Sequence, residues 1–187
     1  MIRIKLTDKQ VKMMLNALTI QIDTREQKEH IESYLKARGI NYKRKKLDYG
    51  DFSAYIPAGI VPGIEFELNF DKAIVIERKA SIDELAGNFG KTDYPRISKE
   101  FAHIKANNTK VIVLVEDALF DKHLRAGKFR SQYDPETLYK RLKGFEAEYN
   151  TIIRPVSKDF IASEIYHTLY YEVRNILLRK FEVTVEE

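Results

Sequence analysis

Cysteine is absent from the 187-residue sequence. This absence excludes disulfide bonds and thiolate metal sites, and it is typical of an intracellular protein. No run approaches the roughly 20 apolar residues that a membrane-spanning helix needs, and residues 1–6 lack the apolar core of a signal peptide. These absences predict a soluble cytoplasmic protein without a membrane partner.

Several common catalytic patterns are also missing. The four histidines, at positions 30, 103, 123 and 167, lie far apart and have no metal-ligand spacing. No nucleophile-elbow motif for serine hydrolysis occurs. Gly90-Lys91-Thr92 is similar to the end of a Walker A loop, but Leu85 stands where that loop needs glycine. The sequence therefore gives no support to a histidine metal site, a serine hydrolase or a P-loop.

The composition predicts one domain over residues 1–187, with its core from about 19 to 180. A hydrophobic fraction of 44% is enough for a sizeable core at this length. Lysine and arginine number 32 against 28 aspartates and glutamates, which gives a formal net charge of +4. This excess permits a polyanionic partner but does not establish one.

Hydrophobic periodicity and turn residues predict mixed strands followed by alternating strands and helices. The predicted helices cover residues 7–18, 26–38, 82–88, 95–106, 135–148 and 158–180, and the predicted strands cover 19–23, 41–47, 52–56, 72–78, 110–115 and 152–153. Thr7 and Asp8 are expected to cap the first helix. The strands at 41–47 and 52–56 are expected to form a hairpin around residues 48–51. This order favours an α/β domain with three layers, α/β/α, around a mixed sheet.

The most informative run is Ile74–Asp83, which reads as a buried strand that ends in charged residues. Glu77 and Lys79 are two positions apart and therefore face the same way. Asp51, at the mouth of the predicted hairpin, can supply a second carboxylate. Mg²⁺ prefers oxygen ligands from one or two carboxylates plus water and phosphate, and Lys79 can orient or help to deprotonate a water. The set predicts a metal-dependent phosphodiesterase.

Each of these residues also has a purely structural interpretation. Taken alone, residues 48–51 are most simply a turn, and the charged end of the strand can be a solvated edge. Asp23 fits an N-cap for the following helix better than it fits a metal ligand. Asp83 lies in the pattern Ser81-Ile-Asp-Glu84, which fits a capping box, and an acid in a first helical turn is stabilising in any case. Only the combination of Asp51 with Glu77 and Lys79 favours a catalytic role over a structural one.

The ordered pattern carries a family resemblance. Gly50-Asp51, then Glu77-Arg78-Lys79, then Asp83 after three further residues, resembles the signature of the XPF-type structure-specific endonucleases. The upstream segment Asp23–Glu26 is similar to that family as well. These enzymes form a branch of the restriction-endonuclease-like PD-(D/E)XK superfamily, so the resemblance implies a restriction-endonuclease-like fold.

The resemblance implies metal-dependent cleavage of DNA at branched or flap structures, with Mg²⁺ or Mn²⁺ as cofactor. It assigns Asp23, Asp51 and Glu77 to the metal, Lys79 to the attacking water, and Arg78, Asp83 and Glu26 to supporting or completing the site. Arg96 resembles a family arginine that contacts phosphate.

One departure bears on the substrate. Family members commonly carry a helix-hairpin-helix domain after the nuclease, and this sequence stops soon after Lys180. A homodimer or a partner protein is therefore expected to supply junction specificity. Two alternatives stay open: a non-catalytic DNA-binding or scaffold subunit, and a restriction- or exonuclease-like DNase with the same chemistry.

Two basic clusters are candidates for DNA contacts. One is the run Lys43, Arg44, Lys45 and Lys46; the other comprises Lys122, Arg125, Lys128 and Arg130. Such runs are often only solvated faces, but beside a phosphodiesterase site they favour DNA as the partner. Phosphate contacts of this kind predict strongly salt-dependent binding.

Overall fold

A mixed sheet forms the centre of the structure, a computed structural model that describes residues 6–27 and 29–179. Its strands are β1 (Thr19–Ile22), β2 (Asn41–Arg44), β3 (Phe52–Ile56), β4 (Leu68–Asn69), β5 (Ile74–Lys79), β6 (Lys110–Glu116) and β7 (Ile152–Val156). The strand order is β2-β1-β3-β5-β6-β7, with the short β4 on β3. β3 runs antiparallel to β1 and β5, whereas the β1–β2, β5–β6 and β6–β7 pairs are parallel.

Helices cover both faces of this sheet. They are α1 (Asp8–Asn16), α2 (Glu29–Ala37), α3 (Ile82–Asn88), α4 (Tyr94–Ala106), α5 (Phe120–Arg125), α6 (Pro135–Tyr149) and α7 (Ile161–Arg179). The buried residues of α1, α2 and α7 form one hydrophobic cluster, and those of α3, α4, α5 and α6 form a second. The predicted three-layer α/β/α fold is confirmed.

Successive side chains of β5 and β6 alternate strictly between the two faces of the sheet. On β6, Ile112 and Leu114 join the cluster of α1, α2 and α7, whereas Val111, Val113 and Val115 join the other cluster. β5 follows the same rule, because successive side chains of a strand point to opposite faces. Glu77 and Lys79 therefore lie on the α3–α4 face, and Arg78 lies on the α2 face.

The predicted hairpin between residues 41–47 and 52–56 is wrong. β1 lies between the two strands: β2 pairs with it in parallel and β3 in antiparallel orientation. Both segments contain strands, as predicted. Period-two alternation identifies a strand, but it does not identify which strand lies beside it. The turn at residues 48–51 instead carries the chain across the end of β1.

Most predicted elements are present, with shifted ends. Thr7 caps α1 through a capping box with Gln10, while Asp8 is the first helical residue. α2 starts at Glu29 rather than at residue 26, and α5 occupies part of the basic stretch for which no helix was predicted. Two residues of the predicted helices, 28 and 180, lie outside the described residues.

Gly50 allows the backbone of the turn to approach β5. Its φ angle is +68°, and a Cβ atom placed there would lie 2.9 Å from Val75 Cβ and 3.0 Å from the carbonyl oxygen of Ile76. Contacts below 3.0 Å force neighbouring atoms to move, and a positive φ strains any residue with a side chain. Glycine at this position thus sets the separation between the turn and the strand.

We expect Gly50→Ala to lower the free energy of unfolding by about 1–3 kcal/mol, because it adds backbone strain and a clash. Urea unfolding monitored by circular dichroism measures the change. Gly144→Ala is the matched control, since Gly144 lies within α6 with no atom within 4 Å of a Cβ, and helical Gly→Ala stabilises by about 0.5–1 kcal/mol. Equal effects of both substitutions would contradict the role of Gly50.

Candidate active site

Pairing between β3 and β5 brings Asp51 and Glu77 together. The antiparallel register that joins Phe52 to Ile76 places residue 51 opposite residue 77. The Asp51 amide donates to the carbonyl of Ile76 at 2.8 Å, and Asp51 Oδ2 accepts the backbone N–H of Arg78 at 2.7 Å. These bonds fix the carboxylate of Asp51 against the end of β5.

Lys79 completes this group. Its Nζ donates to Glu77 Oε1 at 2.6 Å, and only 10% of its side chain is exposed. Burial by itself would lower the pKa of Lys79, but the charge and hydrogen bond of Glu77 outweigh burial and raise the pKa above its usual value. Lys79 is therefore an ammonium ion at neutral pH, able to donate hydrogen bonds but not to accept a proton.

Asp51 sits in an unfavourable electrostatic environment. Burial is the main cause that raises its pKa to about 7, and the negative charge of Glu77 raises it further. The hydrogen bond from the Arg78 amide opposes this shift without cancelling it. Two acids held together with incomplete compensation are typical of a functional site.

Two acids of this site were not singled out from the sequence as functional. Glu84 lies with Oε1 3.9 Å from Lys79 Nζ, and its Oε2 accepts the amide of Ala80 at 2.7 Å. Burial and the charge of Glu77 raise the pKa of Glu100 on α4. Glu84 was visible only as a capping residue, and no sequence pattern indicated which turn of α4 faces β5.

Arg78 is placed on the opposite face of the sheet from Lys79. Its guanidinium binds both oxygens of Glu116, at 2.9 and 2.7 Å, and lies 3.5 Å from Glu26 Oε2. Glu116 Oε1 is also 3.1 Å from His30 Nε2. The side chain of Arg78 thus holds β5 to β6 and to the start of α2, and only its backbone contacts Asp51. Arg78 therefore supports the strand that carries Glu77 and Lys79, and a direct catalytic role for Arg78 stays a prediction.

Asp23 accepts hydrogen bonds on both of its carboxylate oxygens. Its Oδ1 accepts the backbone N–H of Arg25 at 2.8 Å and the Nε–H at 2.6 Å, while Oδ2 accepts Leu47 N at 2.7 Å and Arg25 Nη2 at 3.1 Å. Burial alone would raise the pKa of Asp23, but these bonds outweigh it and lower the pKa. Both oxygens are occupied by donors, so Asp23 fixes the ends of β1 and β2. It does not cap α2, which begins six residues later.

Asp83 faces away from Lys79. Ser81 is the N-cap of α3, and its Oγ accepts the amide of Glu84 at 3.2 Å. Asp83 Oδ1 instead accepts the backbone N–H of Arg130 at 2.7 Å. Asp83 therefore contacts the connection between α5 and α6 rather than the acid–lysine group.

The first basic cluster is largely neutralised by its own surroundings. Lys43 Nζ lies 3.2 Å from the centre of the Tyr55 ring and 3.3 Å from Glu67 Oε2. Arg44 pairs with Glu32, and Lys45 donates to Asn69 at 3.1 Å and lies 3.7 Å from Asp71. Lys46 is exposed. Three of the four charges thus have local partners, which weakens the expectation that this run binds phosphate.

The second basic cluster is open to solvent. Lys122, Arg125 and Lys128 are exposed, and the Arg130 side chain is 94% exposed. Arg96 on α4 is also accessible, although it lies 3.6 Å from Glu100. The positive charges of these side chains are therefore accessible to a polyanion.

Among the described residues, no three or more histidine, aspartate and glutamate side chains form a group that could hold a metal ion. Asp51 and Glu77 nevertheless form a two-carboxylate pair, and Mg²⁺ commonly takes one or two carboxylates with water and substrate phosphate as its other ligands. Burial and the negative charge of Glu77 raise the pKa of Asp51. A cation would compensate the negative charge of the pair. The pair therefore fits a divalent metal, and the role of Asp23 as a further ligand stays a prediction. Within the same described residues, no helix has the length and apolarity to cross a bilayer.

The mixed sheet, its helical layers and the acid–lysine group define a restriction-endonuclease-like α/β/α domain. The profile of the ERCC4 domain matches residues 22–174. The chain belongs to this family, as the sequence resemblance predicted. No curated protein sequence matches the chain.

Two solved structures share this fold. The structure of XPF from Aeropyrum pernix has a TM-score of 0.56 and 15% sequence identity, over 84% of this chain and 66% of that one. The structure of XPF from Aeropyrum pernix in complex with DNA has a TM-score of 0.55 and 16% identity, over 82% of this chain and 63% of that one. This chain thus spans slightly less than two thirds of either protein.

Asp51→Asn should stabilise the metal-free protein at high pH. The pKa of Asp51 is about 7 in the folded state and about 4 in an unfolded chain, so the folded state binds the extra proton between these values. Wild-type stability should therefore fall as pH rises from about 4 through about 7, by on the order of a few kcal/mol. Asparagine removes this dependence while keeping an acceptor for Arg78 N–H.

Urea unfolding of both proteins in EDTA at pH 4, 6 and 8 measures this effect. The stability advantage of Asp51→Asn should be smallest at pH 4 and largest at pH 8. Asp48→Asn is the control, because the ion pair with Lys72 lowers the pKa of Asp48 and its contribution has the opposite sign. A pH-independent difference between wild type and Asp51→Asn would contradict the buried carboxylate pair.

Glu116→Ala should lower the free energy of unfolding by about 3 kcal/mol, because it leaves the buried guanidinium of Arg78 without its main partner. Both side chains of this pair are only 5% exposed. Glu136→Ala is the matched control, since its pair with Lys140 is more than 70% exposed on both sides and should matter by less than about 1 kcal/mol. Equal losses of unfolding free energy in the two variants would show that the Arg78–Glu116 pair stabilises the fold no more than an exposed pair.

Proposed function

We propose that this protein is a metal-dependent endonuclease that hydrolyses phosphodiester bonds in DNA, at branched or flap structures. The main support is the convergence of Asp51, Glu77 and Lys79 on one face at the end of β5. Membership of the ERCC4 domain family supports the same reaction. The similar fold of an XPF solved in complex with DNA supports DNA as the partner.

Asp51 and Glu77 would hold Mg²⁺ or Mn²⁺ between adjacent strands. A divalent ion bound there would supply charge compensation and an activated water for attack on phosphorus. The protein prepares this site by burying Asp51 beside Glu77, since the repulsion between the two acids is relieved when a cation binds. The Arg78 amide keeps the Asp51 carboxylate turned towards β5.

Lys79 would act as a fixed hydrogen-bond donor. Because its pKa is raised, its ammonium group can orient the attacking water or offset the charge that grows on the phosphate oxygens. It cannot serve as the base that deprotonates the water while it remains protonated. Glu77 holds the ammonium in place at 2.6 Å.

Exposed arginines and lysines would bind the DNA backbone. The residues available for this are Arg96, Lys122, Arg125, Lys128 and Arg130. Contacts to phosphate fix the position of a protein on DNA and carry no sequence information. This arrangement fits a nuclease that recognises the shape of its substrate.

Glu77→Gln and Asp51→Asn should each reduce the cleavage rate at least about a hundredfold, because both acids serve the transition state. DNA affinity in EDTA should stay unchanged or increase, since each substitution removes a negative charge. The assay uses labelled single-stranded, duplex, flap and four-way DNA with Mg²⁺, Mn²⁺ or EDTA. Asp48→Asn, an exposed acid of the same turn, is the matched control and should cleave like wild type.

Three results would count against this function. Full activity of Glu77→Gln in saturating Mg²⁺ would refute the site. Binding of DNA by the wild type without cleavage of any substrate would support the scaffold alternative. Equal cutting of all four substrates would refute the preference for branched DNA while keeping the nuclease activity.

A further inference from the structure

Asp83 connects the first turn of α3 to the loop between α5 and α6, residues 126–134. Its Oδ1 accepts the backbone N–H of Arg130 at 2.7 Å, and its Oδ2 lies 3.6 Å from Arg130 Nε. The adjacent residue Glu84 reaches Lys79 at 3.9 Å. Two successive acids of one helical turn thus contact the loop and the catalytic lysine.

The α5–α6 loop is also held at the other end of α3. The hydroxyl of Tyr133 donates to the carbonyl of Phe89, the C-cap residue of α3. Arg141 Nη1 lies 2.9 Å from that hydroxyl and 3.4 Å from the same carbonyl. Lys128, two residues before the first attachment, is exposed, and the Arg130 side chain is 94% exposed. The loop backbone is therefore anchored while its charged groups remain free to bind a ligand.

We infer that Asp83 is a positioning residue, whose carboxylate holds the α5–α6 loop so that Arg130 and Lys128 contact DNA phosphates beside the active site. The inference rests on the proposed nuclease function and assigns part of its DNA-binding surface. A carboxylate that accepts a backbone N–H is a strong, charge-assisted anchor. Ordering the loop before DNA arrives removes an entropic cost from binding. The exposed ion pair with Arg130 is weak enough to yield to phosphate.

The direction in which Asp83→Ala changes DNA affinity separates a positioning role from a purely electrostatic effect. Asp83→Ala removes a negative charge from the surface, which by itself strengthens the binding of a polyanion. A positioning role predicts the opposite, because the loop loses its anchor. Asp83→Asn removes the same charge but keeps an oxygen that can accept the Arg130 amide.

The experiment measures DNA affinity by fluorescence anisotropy in EDTA at several salt concentrations, with labelled flap and duplex DNA. Asp83→Ala and Arg130→Ala should each raise Kd roughly tenfold, the loss of about one charge-assisted hydrogen bond. Each should reduce the slope of log K against log salt by about one. The double variant should bind no more weakly than Asp83→Ala, and Asp83→Asn should bind like wild type.

Two further measurements identify the mechanism. Hydrogen exchange of the Arg130 amide should be fast in Asp83→Ala and slow in wild type. Cleavage at subsaturating DNA should fall in Asp83→Ala in proportion to its weaker binding. Asp93→Ala is the control for charge, since Asp93 is exposed and its side chain makes no cap hydrogen bond; it should bind as tightly as wild type or more tightly.

Several outcomes would overturn the inference. They are tighter or unchanged binding by Asp83→Ala, additive losses in the double variant, and a lower saturating rate with unchanged Kd, which would place Asp83 in the reaction itself. If Asp83→Ala does not fold, wild-type affinity of Arg130→Ala would overturn it equally. Failure of the nuclease function is distinguishable, because a wild type that binds but does not cleave leaves all the binding and exchange results readable.

Discussion

The site depends on the repulsion between Asp51 and Glu77 and on the structure that keeps the two acids together. An aspartate with a pKa of about 7 ionises at a free-energy cost in the folded protein. The β3–β5 pairing, the close approach at Gly50 and the hydrogen bond from the Arg78 amide provide the geometry. The fold therefore keeps two acids close together at a cost in electrostatic free energy.

The charged side chains on the two faces of β5 have different partners. Glu77 and Lys79 face α3 and α4, where Lys79 donates a hydrogen bond to Glu77. Arg78 faces α2, where its buried pair with Glu116 fixes the strand to β6. A strand that is buried on both faces can hold charged residues only if each has a partner. The charged run at the end of β5 meets this condition on both faces, because Lys79 binds Glu77 and Arg78 binds Glu116.

Two residues of the sequence signature act as anchors. Asp23 binds Arg25 and the amide of Leu47, so it fixes the ends of β1 and β2. Asp83 binds the amide of Arg130. Hydrogen bonds from backbone N–H groups hold each of these carboxylates in one orientation. Both residues therefore connect parts of the framework around the acid–lysine group of Asp51, Glu77 and Lys79.

The sequence by itself determined the local structure and the family. Period-two alternation placed Glu77 and Lys79 on one face, and the motif order from Gly50 to Asp83 identified the family. Tertiary structure alone decided which strands are neighbours, since β1 lies where a hairpin was expected, and which acids approach β5, since Glu84, Glu100 and Glu116 come from separate elements. Local patterns record the direction of a side chain relative to its own strand or helix. The partners of that side chain are set by long-range packing, which no short run of sequence encodes.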